Sequence, residues 1–306
     1  MTENLNATKP MAEKPPIDVY GPSSLRRWLR ITLQSTRSHL GRKYRVHELL
    51  LDDEEEDLSE DFHVDEVRGE NLRLHNGCHR IRCPRENAGE YTVLSVPIKH
   101  SIPSLGYIIK EPDRPGKIDP NTLLPLINRN AEALRNQGRK PMSVLGELQR
   151  SRLPLTLPDG TVLQPPAQQP GREIVILGDT NDASAIAPFC NGPHLLVHEA
   201  TNALTSLDYA VIRPGMEPPT FEQVEQRARE HGHSTPQMAA MLGKQIQAKK
   251  LILTHFSARY KGDESEEALQ VMEEIRQLAI ANFDNREEDV FCARDLWSFE
   301  IKYSWT

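Results

Sequence analysis

The segment His231-Gly-His-Ser-Thr-Pro-Gln-Met-Ala-Ala240, running on to Leu251-Ile-Leu-Thr-His-Phe-Ser-Ala-Arg-Tyr260, reads as a polar turn, a helix and a buried strand, with histidines at both junctions. Ser234 or Thr235 is placed to cap the helix, and Pro236 sits early, where its missing N–H is no loss. Met238, Met241, Leu242 and Ile246 predict a one-sided apolar stripe, and Lys249 and Lys250 follow at the negative end of the helix dipole. Leu251-Ile-Leu then reads as a short buried strand that delivers His255 at its carboxyl end. His233 before the helix and His255 after the strand are the residues a site would use.

Two more apolar runs end in the same way. Glu173-Ile-Val-Ile-Leu-Gly-Asp179 ends in an aspartate, and Leu195-Leu-Val-His-Glu-Ala-Thr201 ends in polar residues that include His198 and Glu199. Short apolar runs separated by helical pattern predict the buried parallel strands of an α/β sheet. Ligands of such sheets gather beyond the carboxyl ends of the strands. Asp179, Glu199 and His255 are therefore expected at one rim, with donors suited to zinc or manganese and to hydrolysis.

Outside these runs, Ile17–Tyr20 reads as a strand ended by Gly21-Pro22. A helix follows whose Leu25, Trp28, Leu29 and Leu33 are expected to face inward and whose Arg26, Arg27 and Arg30 are expected to face water. Strands are expected at Tyr44–Leu51 and Tyr91–Pro97, with a return through Tyr107. His75, Cys78, His79 and Cys83 form a weak metal pattern without a supporting ligand cluster. A helix is expected from about residue 264 to 281, with Leu269, Met272, Ile275, Leu278 and Ala279 inward. Residues 290–293 and 297–303 read as closing strands.

The domain organisation expected is a disordered tail over 1–16, an acidic loop over 52–61, and an excursion over 113–171 too long for an ordinary connection. The 306 residues carry a net charge of −7, but 52–61 alone holds eight acidic residues and the other residues are nearly balanced. No global basic field advertises a polyanionic partner, and none is excluded. Four cysteines without paired spacing indicate neither a disulfide framework nor a thiolate zinc site. No apolar run approaches the ~18 residues a membrane span needs, and residues 1–16 show neither a secretory h-region nor an arginine-rich transit pattern. A soluble intracellular protein without membrane association is expected.

At these residues the sequence resembles the ribonuclease Z (tRNase Z) family, short form, of the metallo-β-lactamase superfamily, over roughly residues 17–303. The matching segments occur in the family's order: Ile17–Pro22, His100-Ser-Ile-Pro-Ser-Leu-Gly-Tyr107, Arg114-Pro-Gly-Lys-Ile-Asp119, Gly178-Asp-Thr180, His198-Glu-Ala-Thr201, His233-Ser-Thr235 and Thr254–Tyr260. The resemblance implies a metallo-β-lactamase αββα sandwich with an inserted RNA-binding arm over 113–171. It implies a homodimer and two zinc ions, with His100, Asp179 and His255 as metal ligands. Hydrolysis would cut precursor tRNA on the 3′ side of the discriminator nucleotide. His233 would protonate the leaving oxygen with Glu199 behind it, and Arg259 would contact a backbone phosphate.

One family motif is missing. None of the eleven histidines forms a His-x-His-x-Asp-His sequence, which in the family supplies four ligands near the N-terminus of the fold. The expectation is an N-terminally truncated domain that binds metal weakly and cleaves slowly on its own, with an unpaired sheet edge. The same residues leave two further readings open: a non-catalytic binding or dimerisation module, or another metallo-β-lactamase-fold phosphodiesterase.

Overall fold

The computed structural model describes residues 14–85, 89–284 and 286–303. Most of the tail expected over 1–16 lies outside the described residues. The chain divides into two compact units, one of residues 1–81, 93–109 and 174–299, the other of 82–92, 110–173 and 300–306.

The first unit opens with β1 (Ile17–Pro22) and α1 (Leu25–Ser35), followed by β2 (Tyr44–Leu50), β3 (Glu66–Val67) and β4 (Asn71–Arg73). These strands form a four-stranded sheet in which β1, β3 and β4 all pair with β2 in parallel. β1 includes Gly21 and Pro22, although that pair reads locally as a turn, and it stands at a sheet edge. Leu33, Tyr44 and Val46 make a small core here, with Leu25 and Leu29 partly buried against it.

The inward and outward faces of α1 differ from the sequence expectation. Arg26 and Arg30 are buried, while Trp28 is exposed. The reason is the acids of the adjoining strands. Glu66 accepts a two-pronged hydrogen bond from Arg30, 2.7 Å on each arm. Glu48 lies 3.5 Å from Arg26, which also reaches the Val46 carbonyl and the Asn71 side chain. Buried guanidinium groups of this kind are held by matching carboxylates.

The larger sheet is built from β5 (His79–Arg85), β6 (Gly89–Ile98) and β7 (Ser104–Lys110) and from strands that come after a long excursion. The excursion contains α2 (Pro120–Arg129), α3 (Ala131–Asn136), α4 (Ser143–Ser151) and a small hairpin of β8 (Leu155–Thr156) and β9 (Val162–Leu163). Ile127, Leu134, Val144, Leu148, Leu157 and Leu163 bury one another, so the second unit has its own core. Its helices run 10, 6 and 9 residues, too short for a sustained apolar period.

The chain then forms β10 (Glu173–Leu177), β11 (Leu195–Glu199), α5 (Ser206–Ala210), α6 (Phe221–Glu230), α7 (Pro236–Gln245), β12 (Leu251–Thr254), α8 (Glu266–Asn282) and β13 (Val290–Cys292). The sheet order is β13-β12-β11-β10-β7-β6-β5, and β10 to β13 are parallel. Helices α7 and α8 pack on each other and on these strands, and the main core joins Leu196, Leu251, Leu253 and Val290 to Ala239, Ile246, Val271 and Ile275. Thr235 caps α7 by accepting from the Met238 N–H, with Pro236 next to it. Met241 and Leu269, expected inward, are exposed, while Ala239, Ala240, Ala268 and Val271 are buried. Residues 297–303 form no strand.

Candidate metal centre at the parallel-strand rim

The parallel register sets the rim. Glu199 at the end of β11 lies opposite Thr254 at the end of β12, so His255 emerges one residue beyond. Asp179 follows β10 by two residues. Between them stands Gly178, where a Cβ would come within 2.8 Å of Ser104 Oγ and 3.2 Å of the Leu105 carbonyl.

His255 has φ +54°, a left-handed conformation that side chains adopt reluctantly. Its Nε2 lies 3.3 Å from Asp179 Oδ2. His233 joins them, and one ligand atom from each of Asp179, His233 and His255 falls within 4.8 Å of the others. Asp179 and His255 are about half exposed and His233 less so. Each of the three offers a lone pair or charge suited to a divalent ion, and together they fit one such ion. Among the described residues no other group of this kind occurs.

Around this trio the wiring is specific. His233 Nδ1 is 3.1 Å from Glu199 Oε1, and His255 Nδ1 is 2.9 Å from Thr201 Oγ1. Glu199 is almost completely buried and accepts from four donors. Its Oε1 takes the Thr180 N–H at 2.7 Å and His233, and its Oε2 takes the Ser234 N–H at 3.0 Å and the Thr201 hydroxyl at 2.5 Å. A carboxylate so held is a rigid anchor for the imidazole in front of it.

His100 stands beside the trio. Its Nδ1 bonds the Gly232 carbonyl at 2.7 Å and its ring centre is 5.1 Å from that of His233. Gly232 could be no other residue: φ is +84°, and a Cβ would lie 2.3 Å from His100 Nδ1. His198, next to Glu199 in sequence, faces the interior, where burial lowers its pKa and keeps it neutral.

Arg259 is engaged within the protein. It pairs with Asp208 at 2.6 Å and donates to the Ala203 carbonyl at 2.6 Å. The weak pattern around His75 resolves into a tight hairpin, with His75 and Cys78 paired by backbone and His79 buried with Nε2 on the Leu50 carbonyl. Sequence reasoning passed over Thr201 and Thr180 as site residues. The signal for Thr201 was its place two residues beyond Glu199 at the end of the same strand.

Fold and site define an α/β protein with a candidate metal site at the rim of its parallel strands. No family model matches the chain. It is 33% identical over 265 residues to zinc phosphodiesterase ELAC protein 1 of Bos taurus, covering 82% of this chain and 65% of that protein. It is 30% identical over 293 residues to ribonuclease Z of Bacillus cereus, covering 94% of this chain and 72% of that one. The solved short form of human tRNase Z (ELAC1) aligns with a TM-score of 0.49 and 22% identity over 94% of this chain and 69% of that chain. The chain belongs to the ribonuclease Z family of the metallo-β-lactamase superfamily. It spans slightly under two thirds of the length of the ELAC protein 1 relatives it matches. Among the described residues no helix is long and apolar enough to cross a membrane.

Proposed function

We propose that this chain serves the hydrolysis of a phosphodiester bond in RNA, and that the substrate is precursor tRNA cut on the 3′ side of the discriminator nucleotide. The observation that supports this is the convergence of Asp179, His255 and the Glu199–His233 pair at one rim. Zinc, when bound, supplies charge stabilisation at the phosphate and an acidified water. Asp179 and His255 would hold it, with His100 as the third ligand the resemblance names. The donor group that converges here is Asp179, His233 and His255; a ligand role for His100 in place of His233, and the count of two ions, rest on the resemblance. His233, its Nδ1 tied to Glu199, keeps Nε2 free to carry a proton to the leaving oxygen.

Residues 113–171 are proposed as the arm that grips the tRNA, which its separate core and its exposed Arg135, Lys140, Arg150 and Arg152 support. A homodimer is proposed with it. Arg259 is already bonded to Asp208 and the Ala203 carbonyl, so holding the loop after β12 is the role its geometry supports better.

The test is cleavage of a 3′-extended precursor tRNA by the purified chain with added zinc, beside His255→Ala. Cleavage at the discriminator that the variant abolishes is expected. Absence of cleavage by the zinc-loaded chain, or equal cleavage by His255→Ala, would overturn the assignment. A preference for a small diester over the tRNA would overturn the substrate.

A further inference from the structure

The excursion over 113–171 follows β7 and precedes β10 in the chain, so its base is the pair of segments 111–114 and 169–172. Three backbone hydrogen bonds join the two segments. The Glu111 N–H donates to the Arg172 carbonyl at 2.9 Å, the Arg114 N–H to the Gln169 carbonyl at 2.8 Å, and the Gln169 N–H back to the Arg114 carbonyl at 2.9 Å. A third segment, distant in sequence, closes this base. Residues 301–303 form no strand, yet Arg172 donates to the Ile301 carbonyl at 2.6 Å and the Tyr303 hydroxyl donates to Glu111 Oε2 at 3.2 Å. The centre of the Tyr303 ring lies 3.4 Å from Arg114 Cζ and 4.0 Å from Arg172 Cζ. Cations within ~6 Å of a ring centre are attracted by its negative faces, and two this close take one face each. Glu111, its side chain 10% exposed, also accepts a two-pronged bond from Arg172 at 2.8 and 2.7 Å. One ring thus meets a cation of the entry segment, a cation of the exit segment, and the carboxylate that holds the exit cation.

We propose that Tyr303 is a positioning residue that clamps the base of the excursion, tying Glu111 and Arg114 at its entry to Arg172 at its exit, so that the excursion meets RNA already ordered. This deepens the proposed function and rests on it only for RNA being the excursion's ligand. The physical reason is preorganisation. A binding element whose base is closed in advance does not have to be ordered when its ligand arrives, and that cost is kept out of the affinity. Backbone pairing alone is a weak closure here, since it amounts to one isolated bridge between Arg114 and Gln169 and one further bond at Glu111. The side chains gathered on Tyr303 supply the rest.

Tyr303→Ala removes the ring and the hydroxyl; Tyr303→Phe keeps the ring and both cation contacts and loses one hydrogen bond. The primary measurement is hydrogen exchange at the amides of Glu111, Arg114 and Gln169. In Tyr303→Ala they are expected to exchange on the order of 10–100-fold faster, the worth of two cation–π contacts and a hydrogen bond. The amides of Leu134, bonded to Asn130, and of Leu196, bonded to Lys250, are expected to keep their rates, which separates a local opening from general unfolding. Tyr303→Phe is expected to recover most of the protection. Affinity for a 3′-extended precursor tRNA, read by fluorescence anisotropy in EDTA, is expected to fall on the order of ten-fold in Tyr303→Ala and to recover in Tyr303→Phe. In cleavage with added zinc the same loss is expected in KM, with kcat unchanged. Unchanged exchange at the three amides in Tyr303→Ala would overturn the clamp. Faster exchange with unchanged tRNA affinity, or no tRNA binding by the natural chain, would overturn its role in RNA binding. Binding without cleavage by the natural chain would count against the proposed function alone, since neither exchange nor anisotropy uses the reaction.

Discussion

Glu199→Gln is the sharpest probe of the rim, because the change is isosteric and its cost can be worked out atom by atom. All four groups around the carboxylate are donors, and two of them, the N–H groups of Thr180 and Ser234, are backbone and cannot reverse. An amide brings one oxygen and one NH2. With the NH2 at the Oε1 position it confronts the Thr180 N–H and forces His233 to the other tautomer. With the NH2 at Oε2 it confronts the Ser234 N–H and forces the Thr201 hydroxyl to turn. Either way one buried backbone N–H is stranded, at about 1–3 kcal/mol, and the remaining bonds lose their charge assistance. The expected destabilisation is about 3 kcal/mol, a fall in Tm on the order of 6–12 °C for a chain of this size. Urea unfolding monitored by circular dichroism checks it. A variant within about 0.5 kcal/mol of the natural chain would refute the four-donor account of Glu199.

Three other changes test separate parts of the molecule. Gly232→Ala should destabilise by more than the usual surface substitution and should displace His100, since the added carbon meets its ring; a crystal structure of the variant with His100 unmoved would contradict this. Arg30→Met should cost about 3–5 kcal/mol in urea unfolding, because it leaves Glu66 buried without its cation, and a loss below 1 kcal/mol (about the value of a surface pair) would show the site relaxes. Asp182 is held down to about 2 by hydrogen bonds from Lys99 first and then from Ser184. Its folded pKa is depressed, so its contribution is full above the ordinary 3.8 and is lost as pH falls toward 2. Lys99→Met should shrink that acid limb in a series of urea titrations between about pH 2 and 5; an identical limb in the variant would rule the pairing out.

The parallel strands and their polar ends were legible in the sequence because a strand buried on both faces needs an unbroken apolar run, and the residues just past its end must sit at the rim. That reasoning reached Asp179, Glu199 and His255, and the local capping signal of Thr235 and Pro236 located the loop that carries His233. The faces of α1 and α8 were less legible. Periodicity assumes that charge faces water, and it has no knowledge of an acid on a neighbouring strand. Arg26 and Arg30 go inward because Glu48 and Glu66 meet them there, and Leu269 stays outside while its neighbours Ala268 and Val271 are buried.

What the sequence determined by itself is therefore the set of strands, their ends and the chemical types that stand there. Tertiary structure alone decided which groups stand around Glu199 and which ring nitrogen of His233 faces it. Glu199 receives donors from three separate segments, at Thr180, Thr201 and His233–Ser234, and no local pattern encodes a network whose members are up to 54 residues apart. Hydrogen-bond strength changes over tenths of an ångström, so the network around Glu199 is set by distances that exist only once the chain has folded.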